Sequence, residues 1–311
     1  MQDGGIGSMK KVFAAGLLGA LVLAGLAGCT QDESAEDGRI TIVATTTMIA
    51  DAARVIAGDD AEVVGIMRDG EDPHIYRAKP ADATAIADAD VVLTNGLHLE
   101  ATLGHIVENK ATGVVAHLAE QDGITPITGQ DGEGAPDPHC WMDVQIFKQY
   151  VEGIRDALVE ADPDHAEGYR ERADAYLAEL DALDAWVREQ FEAVPEAQRV
   201  IITSHDAFNY FGRAYGVEVH GVVGISTEQQ ASPRDIQRLE TLVRERGVKA
   251  VFHETSVVQS LNDLVEQVAD STGIRVGGSL YSDSLGKPDT DAGTYIGMIR
   301  HNTTTMVEAL R

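Results

Sequence analysis

The chain has 311 residues, 44% of them hydrophobic, and a formal net charge of −27 at pH 7. That length and apolar content support a sizeable core, in two domains or one large one. The charge argues against a nucleic-acid partner, because phosphate binding needs clustered Lys and Arg that are missing here.

From Met9 a charged start, Lys10-Lys11, leads into the apolar run VFAAGLLGALVLAGLAGC. This is the order of an export signal, too short for an ordinary membrane span and ending in small residues. Its end, Leu26-Ala27-Gly28-Cys29, resembles the bacterial lipobox, which implies cleavage before Cys29 and lipidation of that cysteine. Cys140 would then be the one remaining thiol, so no intramolecular disulfide is expected. Residues 29–38, polar and acidic, read as a flexible tether.

Beyond the tether, short β-branched runs alternate with amphipathic stretches. RITIVAT predicts a strand, MIADAARVIAG a helix closed by Gly58, AEVVGIM a strand, PADATAIADA a helix and DVVLTNG a strand. After a Gly-, Asp- and Pro-rich loop from about Glu120 to Pro138, a helix from Asp143 to Glu160 closes the first half. A long helix follows, capped by Asp162 with Pro163 in its first turn, and Tyr169, Ala173, Tyr176, Leu177, Leu180, Leu183, Val187 and Phe191 mark its apolar stripe before Pro195. The second half resumes with the strand RVIITS, the helix DAFNYFGRAYG and VEVHGVVGI. It continues with the helix IQRLETLVRERG, the strand VKAVFHETS, the helix SLNDLVEQVADSTG, the strand RVGGSLYS and a last helix from Thr294 to Leu310. This alternation predicts an α/β fold of two βα lobes with parallel sheets, joined by a single long rigid helix. The expected boundaries are 1–28 for the signal, 29–38 for the tether, 39–161 for the first lobe, 162–195 for the linking helix and 196–311 for the second lobe. No residue-level repeat relates the halves.

Ligands of open parallel sheets collect beyond the carboxyl ends of the strands. His74 follows one predicted strand, His205 and Asp283 directly follow two others, and His139 lies in the loop ahead of the helix at Asp143. Three imidazoles and a carboxylate suit zinc or another borderline divalent metal better than calcium or magnesium. His205, read as lying at a helix start, would have its proton affinity lowered there. His253 and Glu254, also at a strand end, compete for the site; Glu254 is favoured as an acceptor that holds an imidazole in register. No two members of the set lie at a diagnostic interval, so spacing leaves it open. The motif Asp-Pro-His occurs twice, at residues 72–74 and 137–139, and its proline stiffens each loop. Cys140 is expected to pack as a small buried thiol, and Asp143 to cap its helix or stand behind a ligand.

PHIYRAKPAD, VVLTNGLHLE, DPHCWMD, SHDAFNYFGRAYG and YSDSLG, in this order, resemble the zinc- and manganese-binding solute-binding lipoproteins of bacterial ABC transporters, sometimes described as metal-binding adhesins. The resemblance covers about 39–311 and the lipobox. It implies two lobes with metal in the interlobe cleft, and it assigns the ligands to His74, His139, His205 and Asp283. Glutamate replaces the third histidine in some manganese-type members, so three histidines favour Zn2+, with Mn2+ as the alternative. The loop from Ala119 to Asp137 contains no histidine, unlike the His-rich loop of many zinc-type members. The expected function is extracytoplasmic capture of a divalent transition metal and its delivery to a cognate permease, without catalysis, from a lipid anchor on the cell membrane. Two rivals are a zinc hydrolase using the same histidines with Asp283 or Glu254 as base, and a surface adhesin.

Overall fold

The computed structural model describes residues 38–127 and 134–311. The export signal, Cys29 and all of the tether but Gly38 fall outside the described residues, as does part of the acidic loop. In the first half, β1 (Ile40–Ala44), β2 (Ala61–Gly65), β3 (Val91–Thr94) and β4 (Val114–His117) form a parallel sheet in the order β2-β1-β3-β4. Helices α1 (Thr47–Ala57), α2 (Pro80–Asp88), α3 (Ala101–Lys110) and α4 (Val144–Ala161) accompany it. In the second half, β5 (Val200–Thr203), β6 (Glu218–Gly221), β7 (Ala250–Glu254) and β8 (Arg275–Leu280) pair in parallel in the order β6-β5-β7-β8. The helices here are α6 (Asn209–Tyr215), α7 (Pro233–Arg246), α8 (Gln259–Thr272) and α9 (Tyr295–Leu310). Two βα lobes with parallel sheets are therefore present, as the alternation predicts; α3 and β4 were not singled out by the pattern.

The linking helix divides into a 3-10 turn, Pro163–His165, and α5 (Ala166–Glu192), whose 27 residues span about 40 Å. Asp162 does not cap it through a backbone amide; its carboxylate instead accepts from Tyr169 Oη and lies 2.7 Å from His165 Nδ1. Seven of the eight predicted stripe residues are buried, Leu177 being partly so.

Strand alternation gives each sheet two apolar faces. Val43 and Val92 point into an outer cluster with Ile86 and Leu103, while Ile42, Ala44, Val91 and Leu93 belong to the inner one. The second sheet divides likewise: Ile202 and Val251 meet Leu239 and Val265 outside, and Ile201, Ala250 and Phe252 face inward. The inner cluster runs unbroken from Met48 through Tyr169, Leu180 and Val187 of α5 to Leu280 and Met306. Both sheets thus rest on one core, and residues 38–311 group as one compact unit.

Leu180 is fully buried in the middle of that core. Leu180→Ala is expected to lower unfolding stability by about 2–5 kcal/mol in urea titration. Tryptophan fluorescence and far-UV circular dichroism should lose their signals together, because neither sheet keeps a complete core without α5.

Candidate metal centre

The structure brings His74, His139, His205 and Asp283 together, with one ligand atom from each lying within 4.8 Å of all the others. His74 sits in the loop after β2, His139 just before the 3-10 turn Cys140–Met142 that leads into α4, His205 two residues beyond β5, and Asp283 three beyond β8. His139 Nε2 is 3.2 Å from both His74 Nε2 and His205 Nε2. Asp283 Oδ1 is 3.3 Å from His139 Nε2, and its Oδ2 is 3.2 Å from His205 Nε2. Nitrogen and oxygen ligands about 2.0–2.1 Å from a tetrahedral metal lie about 3.3 Å apart, so these atoms sit along the edges of such a shell.

Carboxylates behind the rings fix their orientation. Asp137 Oδ1 accepts from the His139 amide at 3.0 Å and lies 2.7 Å from Nδ1 of the same residue. Glu254 Oε1 accepts from the His205 amide, and its Oε2 lies 2.7 Å from His205 Nδ1. With each Nδ1 turned to a carboxylate, Nε2 is left facing the centre. Burial opposes a charge on His139, but the charge and hydrogen bond of Asp137, joined by Asp283, outweigh it and raise the imidazole to about 9. His205 is likewise buried yet raised well above the usual histidine range, mainly by Glu254 and then Asp283. For His74 burial prevails and lowers the group to about 3. Asp283, despite burial, is held well below the ordinary carboxylate value by His205 and His139.

His205 does not lie at a helix start, because α6 begins at Asn209. The intervening chain is held off the helix by tertiary bonds, His205 N–H to Glu254 and Asp206 N–H to Gly224 O, and the neighbouring carboxylates raise the proton affinity that a helix terminus would have lowered. Asp143 caps α4, accepting from Gln145 N at 2.9 Å. The acceptor behind His139 is Asp137, which sequence reasoning missed. The Asp-Pro-His spelling itself was the available signal, since an aspartate two residues ahead of a histidine can accept that residue's amide. His253 is not part of the cluster; its Nε2 is 3.4 Å from Glu266. Cys140 is fully buried in the inner core, and burial pushes its thiol up to about 12. His117, His165, His220 and His301 pair locally with Thr94, Asp162, Glu218 and the Ser279 carbonyl. Trp141 Nε1 donates to the Ser282 carbonyl, which ties the second Asp-Pro-His segment to the loop bearing Asp283.

Two sheets on a shared core, with three imidazoles and a carboxylate from both halves placed closely enough to hold a metal ion, are the architecture of a metal-binding protein. The chain belongs to the family described as ZnuA, zinc-uptake complex component A periplasmic, whose model matches residues 42–309. It is 39% identical over 307 residues to the manganese-binding lipoprotein MntA of Bacillus subtilis, covering 95% of this chain and 99% of that one. It is 38% identical over 283 residues to the zinc-binding protein TroA of Treponema pallidum, with 89% and 91% covered. The solved structure titled periplasmic zinc binding protein TroA from Treponema pallidum superposes with a TM-score of 0.83 at 36% identity, covering 88% of this chain and 99% of that one.

Glu254→Gln removes the charge behind His205 while keeping the side chain's shape. Metal affinity, measured by competition with a chromophoric chelator, is expected to fall about 10- to 100-fold.

Proposed function

We propose that His74, His139, His205 and Asp283 jointly ligate a divalent transition metal as cargo, with zinc favoured and manganese the alternative. The mutual spacing of their ligand atoms, 3.2–3.3 Å between neighbours, carries this reading. Membership of the family makes the chain the substrate-binding component of an ABC metal-uptake system, a binding protein and not an enzyme. It works outside the cytoplasm with a membrane permease, in line with relatives named ABC transporter substrate-binding lipoproteins. No helix among the described residues is long and apolar enough to cross a membrane. Attachment through a lipid on Cys29, the absence of a nucleic-acid partner and the lobe boundaries at 39–161, 162–195 and 196–311 belong to the same proposal.

Three imidazoles favour zinc. The name of TroA is in line with that choice, and the name of MntA with manganese. A hydrolase would need a coordination position open to water, whereas four protein ligands complete a tetrahedron and suit holding rather than reacting. An adhesin role is not required by any feature of the cleft.

Stripped of metal and titrated with zinc and manganese by calorimetry, the mature domain should bind one ion per chain at micromolar affinity or tighter. His139→Ala should weaken this by at least 100-fold or so, since it removes a ligand and leaves Asp137 and Asp283 buried without it; unchanged affinity would remove His139 from the shell.

The raised proton affinities of His139 and His205 give binding a definite pH sign. Both imidazoles must lose a proton to ligate, so affinity should rise with pH through neutrality, metal-free His139 giving up its proton near 9, and fall on acidification by about tenfold per unit for each proton released. His74, lowered to about 3, should add nothing near neutrality. Binding enthalpies measured in buffers of different ionisation heat would count the protons released.

A further inference from the structure

The repeated Asp-Pro-His motif has a second half to its geometry. At the first copy, Asp72 Oδ1 accepts from the His74 amide at 2.9 Å, while its Oδ2 accepts from Thr227 Oγ1 at 2.7 Å. At the second, Asp137 Oδ1 accepts from the His139 amide at 3.0 Å, while its Oδ2 accepts from Asn209 Nδ2 at 3.0 Å. Both aspartates lie in the first lobe. Thr227, beyond β6, and Asn209, opening α6, belong to the second. Asp72, Asp137 and Thr227 are all buried.

We infer that each motif aspartate is a positioning residue that clips a histidine of the first lobe across the cleft to a donor on the second, coupling retention of the metal to closure of the lobes. This deepens the function proposed above and rests on its ligand assignment. Proline between the two residues has no N–H and fixes its own φ, so the carboxylate reaches over it to the histidine amide and forms a stiff turn. One oxygen sets the histidine's backbone and the other joins the opposite lobe, so neither can move without straining the other. Two ligands come from each lobe, and an ion leaves only when they part. Parting the lobes would break the hydrogen bond at both clips, a cost that adds to the barrier for release.

The test is metal release from zinc-loaded protein into excess chelator by stopped flow. Thr227→Val keeps the shape and removes the donor, and Asn209→Leu comes close to doing the same at the second clip. Each should raise the dissociation rate about tenfold while the stoichiometry stays at one, and Thr227→Ser should restore the wild-type rate. Melting of the metal-free variants shows that they fold, and a merely structural role would lower that transition without changing the release rate. His74→Ala, measured in parallel for affinity, separates the two levels. If it weakens binding while both clip variants release metal at the wild-type rate, the clips are overturned and the ligand set stands. If it leaves affinity unchanged, the ligand assignment fails and the clips fall with it.

Discussion

The arrangement of the cleft depends on the two sheets sharing one apolar core. Ile42 and Leu93 of the first sheet and Phe252 and Leu280 of the second pack into a single cluster around α5, with α1, α4 and α9 filling the space between them. Polar bonds pin the same junction: the Tyr295 amide to Asp51, the Leu285 amide to Thr47, and Tyr295 Oη to the Trp141 carbonyl. Tyr295 also stacks on Phe147 at 3.5 Å between ring centroids. Lobes built this way cannot swing far apart without opening the core, because close-packed interiors move in small steps. Uptake and release therefore take only a small parting of the lobes, felt at the loops beyond the strands, where all four candidate ligands reside.

Burial at that point creates an electrostatic problem that a bound cation would solve. His139, His205 and Asp283 are almost completely buried, with Asp137 and Glu254 behind the rings. Charges in such a place are costly unless paired. The neighbouring carboxylates raise the proton affinity of both imidazoles and so favour their charged forms. A divalent cation that displaced protons from these imidazoles would take over their role as countercharge. The same carboxylates that favour the protonated imidazoles would favour imidazoles bound to a cation.

Much of this was legible in the sequence where a local pattern carries the information. Apolar runs followed at once by a histidine or aspartate marked His205 and Asp283, and the strand-end position of Glu254 suggested its place behind an imidazole. What eluded the pattern was decided by tertiary contacts or weak local signals. The strand β4 is four residues long with half-buried positions, and α3 carries Gly104 and little amphipathic contrast. The helix expected from Asp206 starts later because Glu254 and Gly224, distant in sequence, take the amides of His205 and Asp206. Thr227 lies 155 residues from Asp72, and no spacing rule connects them.

The candidate ligands also differ in how firmly they are held. His139 and His205 are gripped at both backbone and ring by Asp137 and Glu254. Asp283 is held more loosely: Ser256 Oγ accepts its amide at 3.4 Å, and Ser282 Oγ reaches its carboxylate at 3.4 Å. Its two oxygens face different imidazoles, so a small rotation converts one bound oxygen into two. A tetrahedral zinc ion uses four donors, whereas a harder ion such as manganese accepts a higher number and more oxygen. Two firmly held imidazoles beside a more loosely held carboxylate are what the candidate set offers either ion. The three imidazoles of the candidate set favour zinc, and a carboxylate able to bind through one oxygen or two is the group in it that an ion of higher coordination number would use.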